Sequence, residues 1–354
     1  MIYPHVQFFQ PGVLHFVLAS QPKWLKTMHA SYLALREILS QFPACNIWFR
    51  PPFPQDRQWL DKPLVRALEA RDFALKELGQ ARPYVKLVSA YNETGLNEQA
   101  RAYWEFSMEY ARLMRLEGLA VVSYNFSVEQ PTYSEWSKYL PIPGDVLGLN
   151  QYQAPDLWSE PHRQERLTRH VQVRDLTGWT GPIIVGETGV DRGLLGEKLA
   201  GWRAPGHEIP ISEYCKQIRW AANEFLQTGV TAAFLFNCGG AQWGWESFEV
   251  SNVPEISQTL ASISHLGKDW PPQAVVLPRV GQGFQSVEHL VGPYLEDETY
   301  HFPGTDNEVS VAVGRRGFAT WRRKTNETLA YVDEGQQIHA NGGNSGNGQV
   351  GRVR

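Results

Sequence analysis

The sequence predicts an α/β fold: a (β/α)8 barrel followed by a small β-rich appendage. Three observations carry this. Short apolar, β-branched runs alternate with helical-period segments over roughly the first 260 residues, the signature of a parallel sheet of the usual barrel size. Two of those runs, Lys86–Glu93 and Pro182–Gly189, pass abruptly from apolar residues to a carboxylate. A buried parallel strand reads this way when it delivers an acid to the C-terminal mouth of a barrel. From about Trp270 the texture changes to short strand-like runs with no long helical pattern.

Each element has its own signal. Val6–Phe9 and Val13–Ala19 read as the first two strands. Only Gln10-Pro11-Gly12 lies between them, short of the dozen or so residues a parallel crossover needs. Trp24–Phe42 reads as one helix, with Leu25, Met28, Tyr32, Leu35 and Leu39 spaced at helical steps and Pro43 closing it. Asn46–Arg50 is the next strand, stopped by two prolines. Asp61–Leu78 is helical, with Asp61 as N-cap and Pro63 in the first turn. After the strand Tyr84–Glu93 comes a helix over Glu98–Glu117, ended by Gly118. Strands follow at Leu119–Tyr124, Asp145–Tyr152, Ile183–Glu187 and Thr231–Asn237. Helices are expected at His162–Leu176 and at Ser212–Thr228, the latter with Ser212 as N-cap. The expected organisation is a barrel over 1–268, an appendage over 269–340 and a Gly/Asn-rich disordered tail over 341–354.

Composition narrows the class. The chain has 354 residues, 42% hydrophobic and 20% charged, an ordinary globular balance. A net charge of −4 gives no footprint for nucleic acid, which is not expected as a partner. Three scattered cysteines with no CxxC do not read as a disulfide framework. None of the 10 histidines pairs with another His or a Cys at zinc spacing, so no metal is expected. No glycine-rich phosphate loop follows a strand, and no cofactor is expected. No apolar run is long enough for a membrane span. No signal peptide is visible at Met1–His5. The 13 Trp, 14 Tyr and 16 Phe suit either a sugar-binding cleft or a large core.

Two strand-end carboxylates suit hydrolysis of a glycosidic bond. With retention of configuration, the two groups lie about 5–5.5 Å apart, one protonated to serve the leaving oxygen and one ionised to attack the anomeric carbon. Unequal surroundings separate their pKa values. A strand-end Glu taken alone is more often a cap or a solvated residue; it is the pairing at barrel strand ends that favours catalysis.

Over roughly Val6–Trp245 the chain resembles the clan A retaining (β/α)8-barrel glycoside hydrolases. In that clan an Asn-Glu pair ends strand four and a second Glu ends strand seven; Asn92-Glu93 and Glu187 fall in those places. The resemblance implies that Glu93 is the acid/base, Glu187 the nucleophile, and Asn92 the partner of the substrate 2-hydroxyl. It implies an Arg beside the nucleophile, for which Arg50 is the candidate, although most members carry it on strand two and here it follows the third. It implies a Tyr on strand six donating to the nucleophile, matched by Tyr152, with Asn150 facing the same side. A Trp after strand eight commonly floors the central sugar site, and Trp243 and Trp245 are both candidates. Trp48 and Trp158 are weaker candidates for cleft walls. Many members read Asn-Glu-Pro where this chain has Asn92-Glu93-Thr94.

The expected function is therefore a retaining glycoside hydrolase acting on the O-glycosidic bonds of a poly- or oligosaccharide. The alternatives are a catalytically inactive, glycan-binding barrel, or a barrel enzyme of another class such as a metal-dependent hydrolase. The lack of clustered His and Asp at strand ends speaks against the last. Sugar identity depends on loop side chains that the strand pattern does not fix.

Overall fold

The computed structural model describes residues 1–54, 58–160, 162–197 and 201–268, together with six strands between 298 and 352. The chain divides into two units, Met1–Val276 and Leu277–Arg354.

The first unit is a closed, parallel eight-stranded barrel. Its strands are β1 (Ile2–Val6), β2 (Trp24–Thr27), β3 (Asn46–Phe49), β4 (Leu87–Val88), β5 (Ala120–Phe126), β6 (Val146–Gln153), β7 (Ile183–Val190) and β8 (Ala232–Cys238). The helices are α1 (Pro11–Ala19), α2 (Tyr32–Gln41), α3 (Pro63–Leu78), α4 (Ala100–Leu116), α5 (Arg169–Thr177), α6 (Ile211–Gln227) and α7 (Pro254–Ser264). Side chains alternate across each strand. On β3, Ile47 and Phe49 join the large core beneath the helices, while Trp48 joins the inner cluster with Tyr3, Trp24, Leu87, Ile184 and Phe234. That inner cluster fills the barrel, so chemistry is confined to the strand ends.

The structure corrects the reading of the first 42 residues. Val13–Ala19 is helix α1, not a strand. A continuous apolar run cannot be told from a buried strand by period; Pro11 at the first helical position was the better signal. Trp24–Phe42 is not one helix but β2 followed by α2, which is capped by the Ser31 side chain. The first unit is thus complete, and the short Gln10-Pro11-Gly12 link leads into a helix. Two errors cancelled, so Arg50 still follows the third strand. Smaller differences concern helix starts. Lys62, not Asp61, is the N-cap of α3, and Pro210 rather than Ser212 precedes α6. Helix α5 begins only at Arg169, later than His162.

The second unit is a six-stranded antiparallel meander, β9 (Glu298–His301), β10 (Glu308–Val313), β11 (Ala319–Arg323), β12 (Thr328–Val332), β13 (Gln337–Ala340) and β14 (Val350–Arg352). Strand β14 lies within the segment read as a disordered tail and pairs with β13. Residues 269–297 and 341–349 lie outside the described residues. No helix among the described residues is long and apolar enough to cross a membrane.

Candidate active site

Glu187 lies inside β7, on a strand buried along its whole length. Burial of a carboxylate requires partners, and the neighbouring strands supply them. Lys26 of β2 donates from Nζ to Glu187 Oε1 at 3.1 Å and to the Gly186 carbonyl at 2.9 Å. Arg50, just past β3, places Nη2 3.3 Å from the same Oε1. The Tyr152 hydroxyl of β6 donates to Oε2 at 3.0 Å. His5 of β1 lies 3.8 Å from Oε1; burial, with Lys26 and Arg50 nearby, holds its pKa well below the usual value and keeps the ring neutral. Burial alone would raise the Glu187 pKa, but Lys26, Arg50 and Tyr152 outweigh it and hold this carboxyl below its ordinary range.

Glu93 follows the two-residue strand β4 with φ +54°, a left-handed conformation uncommon for a residue with a side chain. Its N–H donates to the Asn125 carbonyl at 3.2 Å. Its Oε1 accepts from Asn150 Nδ2 at 2.8 Å. Burial first, then the charge of Glu187, push its pKa up to about 7; Asn150, Arg50 and Lys26 offset only part of this. The two carboxyls thus have opposite surroundings: two cations grip one, and a neutral amide holds the other.

Strand pairing sets this geometry. The register of β6 on β7 brings Asn150 opposite Glu187 and Tyr152 opposite Gly189, past an irregularity at Leu149/Asn150. Asn150 and Tyr152 share a face, so one strand serves both carboxyls. Two glycines make room below. A Cβ on Gly186 would lie 2.9 Å from Asn150 Oδ1 and 3.0 Å from Asn125 Oδ1, and one on Gly148 would lie 2.3 Å from Asn125 Oδ1.

Arg50, Asn150 and Tyr152 are therefore in contact with the carboxyls. Asn92 is half-buried, its N–H donating to Gln58 Oε1 at 3.2 Å, and its side-chain Oδ1 has no hydrogen-bond partner among the described residues. Trp245, 43% exposed, packs edge-on against Phe236 at 5.4 Å, and Phe236 in turn lies 6.2 Å from the Tyr152 ring. Trp243, 52% exposed, meets Phe8 on the rim instead. Of the two, Trp245 is the one joined by packing to the carboxyl pair. Trp48 is fully buried inside the barrel, donates to Ser89 Oγ at 3.1 Å, and is not a cleft wall. Trp158 is half-buried beyond β6.

Sequence reasoning missed Lys26, His5, Asn125 and Asn237. Lys26 was hidden inside the spurious helix. His5 precedes the run read as the first strand. Asn125 and Asn237 are buried polar residues on β5 and β8 whose side-chain amides lack partners among the described residues. An Asn at the end of an apolar run was the available signal for both.

The fold and site define a (β/α)8 barrel that gathers two carboxyls of unequal character at the ends of β4 and β7. No family model matches the chain, and no curated protein matches it. Among solved structures it is similar to β-D-glucuronidase of Dictyoglomus thermophilum, with a TM-score of 0.50 and 14% identity over 76% of this chain and 51% of that one. It is also similar to β-glucuronidase 2 of Bacteroides uniformis, with a TM-score of 0.45 and 12% identity over 67% of this chain and 30% of that one. An endo-1,4-β-mannanase of Rhizomucor miehei gives a TM-score of 0.46 and 9% identity over 75% of this chain and 94% of that one. The chain spans only 30% of the Bacteroides enzyme and about half of the Dictyoglomus one. At these identities the likeness is one of fold.

Proposed function

We propose that the protein is a glycoside hydrolase that cleaves O-glycosidic bonds of a carbohydrate with retention, by double displacement. The observation that carries this reading is the asymmetry of the carboxyl pair. Lys26 and Arg50 keep Glu187 ionised, and both occupy Oε1, while among the described residues Oε2 carries only the Tyr152 hydroxyl. A lone pair of Oε2 is thus available to attack an anomeric carbon. Glu93, with a pKa near 7, still holds a proton in mildly acidic solution.

In the first step Glu187 forms a bond to the anomeric carbon as the bond to the leaving oxygen breaks, and that oxygen takes the proton of Glu93. In the second, Glu93, now a carboxylate, removes a proton from water, which attacks the anomeric carbon and frees Glu187. Esterification removes the Glu187 charge that helped to raise the Glu93 pKa, which suits Glu93 to its later role as base. Buried polar atoms of Asn92, Asn125 and Asn150 that have no partner among the described residues would suit a polyhydroxylated ligand. Trp245, partly exposed and packed on Phe236 next to Tyr152, is the nearer candidate for an aromatic platform of the two tryptophans after β8.

The test is hydrolysis of a panel of aryl glycosides by wild type, Glu187→Gln and Glu93→Gln. Each variant is expected to lose at least ~10³-fold in kcat. The Glu93→Gln loss should be smaller on substrates with activated leaving groups, which need no proton. Full activity in Glu187→Gln would end the double-displacement reading. Glycan binding without turnover in the wild type would favour an inactive glycan-binding barrel.

A further inference from the structure

A cavity of about 490 Å³ is lined chiefly by Gln58, Trp59, Asp61, Arg66, Glu98 and Gln99. Its walls are the segments that follow β3 and β4, and β4 is the strand that delivers Glu93. The cavity connects to the site through one hydrogen bond: Gln58 Oε1 accepts from the Asn92 N–H at 3.2 Å, one residue before Glu93.

Its lining has the character of a sugar site. Trp59 is 52% exposed. It is nevertheless held in place. The Arg66 guanidinium lies 4.9 Å over the ring and is itself fixed by Asp61 at 2.8 Å and Glu69 at 2.7 Å. An aromatic surface braced in this way, among amide and carboxylate groups, offers stacking for C–H faces and partners for hydroxyls. The volume falls in the range of small-ligand sites.

Its link to Asn92, the residue before Glu93, bears on which part of a substrate it would meet. Glu93 gives its proton to the leaving oxygen, so the leaving portion lies on the Glu93 side of the cleft. We propose that the Trp59 cavity is a leaving-group subsite, binding a further sugar residue of an oligosaccharide beyond the bond that is cut. The inference rests on the glycosidase reading and deepens it. The preferred substrate is then a chain of several sugars rather than a simple glycoside with a small leaving group.

The experiment compares wild type, Trp59→Ala and Trp59→Phe on 4-nitrophenyl glycosides and on laminarihexaose, cellohexaose and mannohexaose. Trp59→Ala should lower kcat/KM on the cleaved hexasaccharide by about 10-fold while leaving the aryl glycoside within about twofold. Trp59→Phe should recover most of the loss, which simple loosening of the loop would not allow. Equal losses on both substrate classes, or no loss on the hexasaccharide, would overturn the proposal. A second measurement serves if Trp59→Ala does not fold or if no glycan is cleaved. Glu187→Gln, with and without Trp59→Phe, is titrated with each hexasaccharide while tryptophan fluorescence is followed. A hexasaccharide response weakened by Trp59→Phe supports the subsite. Identical titrations, or no response to any of the three, sink it. Because this readout needs no turnover, failure of the subsite and failure of the glycosidase reading remain distinguishable.

Discussion

At the scale of single residues, Lys26 determines the character of Glu187. Its side chain is fully buried, and burial lowers its pKa to about 7 despite the opposing pull of Glu187. A buried ammonium that donates to Glu187 is tolerated because it is paired, and removing it leaves a carboxylate short of one counter-charge. Lys26→Met should therefore raise the Glu187 pKa. The acidic limb of the pH–rate profile should move to higher pH by about one unit, with Lys26→Arg moving it less. Superimposable acidic limbs in the folded Met variant would show that Arg50 and Tyr152 suffice. Glu93 gives the opposite limb. In the proposed mechanism it must be protonated to act as the acid, so activity should fall as pH rises through about 7. Its raised pKa also bears on stability. The folded state favours protonated Glu93, so this contribution is present below the ordinary carboxyl pKa and is lost as pH rises through about 7. Glu93→Gln should then melt higher than wild type at pH 8 and close to it at pH 4; equal melting at both would refute the linkage. Glu93, Glu187, Asn150 and Tyr152 were legible because each terminates or follows an apolar run. Lys26 was not, because four strand residues happened to fit a helical period.

At the scale of elements, β6 and β7 together form the site. One face of β6 carries Asn150 to Glu93 and Tyr152 to Glu187, and β7 opposes it with a glycine directly before its acid. Gly186 is required by close packing rather than by backbone freedom. A methyl group there would crowd both asparagine oxygens and the Trp48 ring, at 2.9–3.1 Å. Gly186→Ala should cost about 1–3 kcal/mol in urea unfolding. It should also displace Asn150 and so move the alkaline limb upward, because the Asn150 hydrogen bond lowers the Glu93 pKa. An Ala variant with wild-type stability and profile would show that the asparagines can yield. Strands β6 and β8 were read to within one residue at each end, whereas β7 runs three residues past Glu187, where it was read to end. β2 and β4, four and two residues long, were misread or overextended. Segments this short carry too little pattern to outweigh their neighbours.

At the scale of the whole barrel, the side of β6 that faces away from the cleft is tied to the helical layer by His170 of α5. The ring is fully buried, with Nδ1 3.0 Å from the Gln151 side-chain amide and Nε2 2.7 Å from Thr228 Oγ1 at the end of α6. Turning the Gln151 amide lets its nitrogen donate both to His170 Nδ1 and to the Leu167 carbonyl, which leaves the imidazole neutral with its proton on Nε2. Gln151 stands between Asn150 and Tyr152, so this network fixes the strand that serves both carboxyls. The barrel class was readable from alternation alone, but a network joining three distant segments leaves no periodic trace. Burial, with a small contribution from Arg174, lowers the His170 pKa to about 3. The unfolded chain therefore binds a proton near pH 6.5 that the folded chain refuses until about pH 3. The stabilisation from neutral His170 is complete above pH 6.5 and is lost progressively as pH falls towards 3, by a few kcal/mol at most. Buried neutral His5 adds to the same slope. The melting temperature should thus decline across this window, and His170→Gln, which cannot take up a proton, should start lower at pH 7 but decline less steeply. Parallel melting curves for wild type and variant between pH 7 and 4 would show that acid enters the barrel elsewhere.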